Sequence, residues 1–168
     1  MRKIISTIIF LLSTLLILTA CGTEKVKDDP EISIKFKVSN LTDEEFQFVG
    51  TKELETALKD DFKNIEFSLD VKNSNNISNR KIVIPDFKNV VKSYDKKRYW
   101  FGEASRQDNS SENFAQYGNK IVFYSKGLDE QAIKNIFGES EVRVSWTTNS
   151  GKDEEKVFKL GEIVQFQW

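Results

Sequence analysis

The chain has 168 residues and a formal net charge of −1, from 25 basic and 26 acidic side chains. Near-neutral charge leaves no basic footprint for nucleic acid and no polybasic patch for anionic lipid. It contains no histidine and one cysteine, Cys21; this excludes Ser-His-Asp and Cys-His catalysis and removes the commonest metal ligand and neutral-range pH switch.

The first element is a leader. Arg2 and Lys3 precede an apolar run from Ile4 to Ala20 that carries five hydroxyl residues and ends in small residues, the layout of a secretory signal. A spanning helix needs about 20 predominantly apolar residues, so a permanent span is the weaker reading. The residues Leu18-Thr19-Ala20-Cys21 resemble the lipobox of bacterial lipoproteins. That resemblance implies cleavage before Cys21, a diacylglyceryl thioether on its thiol, and export to the outer face of the bacterial cell membrane. Two acyl chains suffice for stable anchoring where one does not. With residues 1–20 removed, and Arg2 and Lys3 with them, the 25 basic side chains fall to 23 against 26 acidic. The thiol is consumed by the lipid, so no disulfide braces the exported part, and a core must hold it.

Residues 21–30 form a lipidated cysteine and a polar tether ending in Pro30. Residues 31–168 then read as one domain. Glu31–Asn40 alternates Ile32, Ile34, Phe36 and Val38 with polar residues, the mark of a half-buried strand. Asn64–Asn73 repeats this with Ile65, Phe67, Leu69 and Val71, and Glu141–Thr147 does so with Val142, Val144 and Trp146. Weaker strands are expected at Glu45–Val49, Lys81–Pro85, Arg98–Ala104, Lys120–Ser125, Lys156–Leu160 and Ile163–Trp168. Polar loops are expected at 73–79 and 105–119, and a hairpin turn at 148–154 with Gly151 at positive φ. Two short helices are expected: one starting at Thr51 with Leu54, Ala57 and Leu58 on a face, the other over Leu128–Phe137, with Asp129 and Glu130 in its first turn and Gly138 as its stop. Many short strands between polar turns predict a mostly β domain. Its pattern resembles an immunoglobulin-like Greek-key β-sandwich, with Trp100 or Trp146 as the core tryptophan, and a small β-barrel is the alternative.

For ligand contact, Tyr94–Ser105 is the densest mixture of aromatic and charged groups. Tyr99 and Trp100 could form a stacking surface for a sugar or peptide, with Lys97 and Arg98 taking an acidic group, unless Tyr99 and Phe101 face one way and Trp100 the other with one set in the core. Phe114 and Tyr117 are further candidates within the 105–119 stretch. Asp108, Asn109, Ser111 and Glu112 lack the spacing of a calcium loop. The acids Asp60, Asp61, Asp153, Glu154 and Glu155 fall at expected helix ends or turns, where solvated acids belong, not across a glycosidase cleft. The sequence therefore predicts no cofactor, no metal and no catalytic residue. It predicts a membrane-anchored envelope lipoprotein acting as a non-catalytic binding module, held to the bilayer by acylated Cys21, whose partner is an envelope protein or wall polymer. The competing readings are a carboxylate-dependent enzyme on cell-wall glycans and an assembly or immunity lipoprotein with protein contacts alone.

Overall fold

Period-two patterning dominates the domain, and the computed structural model turns it into eight strands and four short helices among the described residues, which are 29–168 except 51–53, 55 and 73. The expected leader, Cys21 and the expected tether up to residue 28 lie outside them. Five strands form one sheet in the order β4-β5-β2-β1-β8: β1 (Glu31–Asn40), β2 (Phe62–Lys72), β4 (Tyr99–Asp108), β5 (Ala115–Tyr124) and β8 (Gln165–Gln167). The second sheet has the order β3-β6-β7, from β3 (Ile77–Val83), β6 (Glu141–Thr148) and β7 (Asp153–Lys159). All pairings are antiparallel except β1 with β8.

The alternation decides which face is buried. Phe36 and Val38 of β1, with Ile65, Phe67, Leu69 and Val71 of β2, point to a core completed by Val142, Val144 and Trp146 of β6. Two helices also feed this core. Helix α2 (Phe87–Tyr94) adds Phe87 and Val91, and α3 (Glu130–Ile136) adds Ile133, with Phe137 at its C-cap. Phe36 packs edge-on to Phe137 at 4.9 Å and is stacked on Phe87 at 5.8 Å. Each such fully buried ring contributes about 1.5–3 kcal/mol. Trp146 is the core tryptophan. Trp100 is half-buried in a second, smaller cluster on the other face of the five-stranded sheet, edge-on to Phe62 at 5.4 Å.

That second cluster exists because the β1–β2 connection folds back over the sheet. The expected strand at Glu45–Val49 is instead helix α1 (Asp43–Gln47), set by a capping box: Glu45 N–H donates to Thr42 Oγ1, and Thr42 N–H donates to Glu45 Oε2. A helix expected from Thr51 falls partly outside the described residues. Leu54, Ala57 and Leu58 are not helical; the first two pack on the second cluster, and a 3₁₀ turn follows at Lys59–Asp61.

The sequence expected two helices. Besides α1, helices α2 and α4 (Leu160–Ile163) are additional. Asp86 caps α2, its Oδ1 accepting from Asn89 N–H at 3.0 Å. The expected 105–119 loop is mostly strand, with only 109–114 connecting β4 and β5. The 148–154 hairpin forms as expected, with Gly151 at φ 80°. A clamp closes the open side between the sheets. Arg80 of β3 donates to Asp108 Oδ1 at 2.8 Å and to Ser74 Oγ at 2.7 Å, while Tyr117 OH donates to Asp108 Oδ2 at 2.5 Å. Among the described residues, no helix is long and apolar enough to cross a membrane.

Candidate binding face

With one face of the five-stranded sheet committed to the core, the register arranges the opposite face in rows. Ser39, Asn64, Val122 and Phe101 stand side by side across β1, β2, β5 and β4. The next row is Lys37, Glu66, Lys120 and Glu103, of alternating sign. Then come Lys35, Ser68, Gly118 and Ser105. Directly opposed side chains of this kind lie about 5 Å apart, close enough to share one ligand.

These rows floor two joined concavities. One, of about 450 Å³, is lined by Lys35, Lys37, Ser68, Ser105 and Gly118. The other, of about 340 Å³, is lined by Glu45, Phe48, Asn64, Phe101 and Val122. Glu103 and Lys120 line both. The absence of a side chain at Gly118 deepens the floor, since a Cβ there would come within 2.7 Å of Ser105 Oγ. The far end is apolar: Phe48, just past α1, is 79% exposed and Phe101 is 40% exposed.

Charge in the trough is held by Lys120. Its Nζ lies 2.5 Å from Glu45 Oε1 and 3.5 Å from Glu66 Oε1. Burial alone would raise the Glu45 pKa, but hydrogen bonds from Lys120, the Thr42 N–H and Asn64 together lower it to about 2. The Glu45 hydrogen bond raises the Lys120 pKa against the opposing effect of burial. This pair is a fixed dipole across the physiological range rather than a proton shuttle. Among the described residues, Lys35, Lys37 and Glu103 form no ion pair. Asn64 is 2% exposed; its Nδ2 donates to Glu45 Oε2 at 2.7 Å, while its Oδ1 has no hydrogen-bond partner among the described residues.

The five sequence candidates are dispersed along the β4–β5 hairpin rather than gathered. The Arg98 guanidinium donates to the Tyr124 and Lys126 carbonyls at 3.1 and 2.7 Å and lies over the Tyr124 ring, fastening the end of β5. Tyr99 is half-buried on the main core, with Lys88 and Lys92 over its ring. Trp100 belongs to the second cluster. At the other end of the hairpin, Phe114 is half-buried, and Tyr117 packs on the core with its hydroxyl on Asp108. Burial first, and then the bond to Asp108, push the Tyr117 pKa up to about 12.

Tyr99 and Phe101, expected on one face, lie on opposite faces. Tyr99 pairs with Phe123 and Phe101 with Val122, so β4 advances two residues while β5 advances one. This bulge re-aims Phe101 outward to the trough. Sequence reasoning did not single out Glu45, Phe48, Asn64 or Lys120, which come together only through register and the folded-back connection. Asp108 is taken by Arg80 and Tyr117, and among the described residues no group of three acidic or cysteine side chains is placed to hold a metal ion. Comparison with protein-family models, curated proteins and solved structures returns no match.

Proposed function

We propose that the chain is an envelope lipoprotein, anchored through acylated Cys21 to the outer face of the bacterial cell membrane, whose head is a non-catalytic binding module. The observation that carries the binding reading is the pair of joined concavities on the open sheet face, with hydroxyls and unpaired charges at one end and two exposed phenylalanines at the other. Buried, mutually satisfied polar groups would mark a structural network; exposed and unpaired ones facing a cavity favour recognition. The lipobox resemblance at Leu18–Cys21 supports the anchor. Residues 22–30 span at most about 30 Å when extended. Strand β1 starts at Glu31 and runs toward Ser39, so the Phe48–Phe101 end is the end of the trough farther from the tether along β1. A wall polymer or an envelope protein beyond the lipid surface would meet that end first.

The same reading takes the head as immunoglobulin-like. Orders β1-β2-β5-β4 and β3-β6-β7 correspond to the A-B-E-D and C-F-G sheets of a seven-stranded constant-type sandwich. Departures are the added β8, the helices between β3 and β4 and between β5 and β6, and a core tryptophan on the sixth strand rather than the third. The test pairs anchor with face. Cys21→Ala should abolish fatty-acid labelling and release the protein from the membrane fraction. A photo-crosslinking residue at position 48, in the acylated protein in its own envelope, should capture a partner that the same residue at position 157, on the far sheet, does not. Normal acylation of the Cys21→Ala protein, or equal capture from both positions, would defeat the proposal.

A further inference from the structure

We infer that the Asn64 end of the trough receives an acetamido-bearing sugar of a neutral glycan; this rests on the binding-face reading above and names its ligand class. Asn64 carries the chemistry. Its side chain is almost wholly buried in the wall of the cavity, its nitrogen is committed to Glu45, and among the described residues its Oδ1 accepts from none. A buried acceptor left open calls for a donor, because an unmade bond there carries a penalty that water does not relieve. The donor must suit the rest of the lining, where the apolar Val122, Phe48 and Phe101 stand beside the charged Glu45, Glu103 and Lys120. An amide N–H beside a methyl group satisfies both demands; a bare hydroxyl satisfies only the first. The exposed Phe101 ring offers an apolar face to the C–H side of a pyranose.

The adjoining row selects a neutral, hydroxyl-rich chain. Lys37, Glu66, Lys120 and Glu103 alternate in sign, so each ligand hydroxyl meets both an acceptor and a donor. Lys35, Lys37 and Lys120 balance Glu45, Glu66 and Glu103 across the two concavities, so the face carries no net charge to favour a charged polymer over a neutral one. A peptide is less well served, because the N–H and C=O groups across this face are already joined in the β-ladder; an extended peptide would pair instead at the free edge of β4. Three rows at two residues per row cover about 14 Å, which suits several linked sugars rather than one.

The test is calorimetric titration of the full acylated protein in detergent with two probes: the β-1,4-linked pentamer of N-acetylglucosamine and cellopentaose, which has hydroxyls in place of the acetamido groups. The first should bind, and the second about fourfold or more weakly, as expected for the lost methyl burial, since its hydroxyl still donates. Phe48→Ala should weaken the first about fivefold with an unchanged melting temperature, since the ring is exposed. Asn64→Val should weaken both probes, since the open acceptor is gone; because that position is buried, Phe48→Ala carries the test should Asn64→Val not fold. Equal affinity for both probes, or affinity unaffected by Phe48→Ala, overturns the inference. So does binding of neither probe, and crosslinking from position 48 in cells then separates the two levels: capture of an envelope protein leaves the binding face standing with a protein occupant, and capture of nothing removes both.

Discussion

Replacing Glu45 with glutamine tests how the trough is built. Three donors converge on this carboxylate: Thr42 N–H at 2.8 Å and Asn64 Nδ2 at 2.7 Å on Oε2, and Lys120 Nζ at 2.5 Å on Oε1. A carboxylate accepts at both oxygens, whereas an amide has one oxygen and turns hydrogens toward whatever faces the other side. The less costly orientation keeps the oxygen on Thr42 and buried Asn64 and sets the NH₂ against Lys120, which water can still reach. Loss of one charge-assisted bond, partly relieved by solvent, costs about 2 kcal/mol. The pKa gives an independent figure. Lowering it from 4.5 to about 2 would correspond to roughly 3 kcal/mol, and screening of these partly exposed groups reduces that to about 1–2 kcal/mol. Because the folded-state pKa is depressed, the contribution is complete above about pH 4.5 and is lost as pH falls toward 2. Urea titrations followed by tryptophan fluorescence should show Glu45→Gln about 2 kcal/mol less stable than the parent at pH 7, with the gap closing near pH 2. A gap below about 0.5 kcal/mol at pH 7, or one that persists unchanged to pH 2, would refute the account of Glu45 as the pin that holds α1 on the sheet.

Other substitutions probe other parts of the molecule. Trp146→Ala should cost about 3–5 kcal/mol as a core cavity, whereas Trp100→Ala, half-buried in the smaller cluster, should cost about 1–2 kcal/mol; denaturant midpoints distinguish them, and the reverse order would contradict the core assignment. Gly102→Ala should lower the melting temperature sharply, because its Cβ would lie 2.5 Å from Ile121 Cγ2 and 2.7 Å from the Lys120 carbonyl oxygen, and the latter cannot yield without disturbing the β4–β5 ladder. Asp108→Asn should cost about 3–5 kcal/mol by leaving the buried Arg80 guanidinium uncompensated. It should also let one tyrosine titrate nearer its ordinary range, from about 12, in an ultraviolet pH titration.

Strands with one dry and one wet face were legible in the sequence. β1, β2 and β6 announce themselves because Phe36, Phe67 and Val144 recur every second residue with polar partners between them. The misreadings have specific causes. Phe46 and Phe48 alternate like a strand, but the Thr42–Glu45 capping box, a pattern visible in the sequence, outweighs two aromatic positions. Helix α2 also carried its signal: Phe87, Val90, Val91 and Tyr94 follow helical spacing after Pro85 and the cap Asp86. The 105–119 stretch looked like a loop because β4 is an edge strand with its outer face in water. Ser105, Gln107 and Gln116 are what such a face carries. Polarity there reports exposure rather than the absence of regular structure.

The trough was less legible for a deeper reason. Periodicity shows that Lys37, Glu66, Lys120 and Glu103 are wet; only register makes them neighbours, and register is set by the buried faces. Phe36 opposite Phe67 fixes β1 on β2, and Ile65 opposite Ile121 fixes β2 on β5, so the alternating charge row outside follows from apolar pairing inside. The bulge between Tyr99 and Phe101 is the second hidden step, because it is a property of the β4–β5 pair rather than of either strand alone. Without it Phe101 would join Tyr99 on the core side, and the trough would lose its aromatic wall. The third is the β1–β2 connection, whose return across the sheet sets Glu45 on Asn64 and Lys120 and leaves Phe48 standing in solvent. A face that the strand pattern marks only as polar thus becomes a shaped cavity with a dry end, through interactions that each join residues distant in the chain.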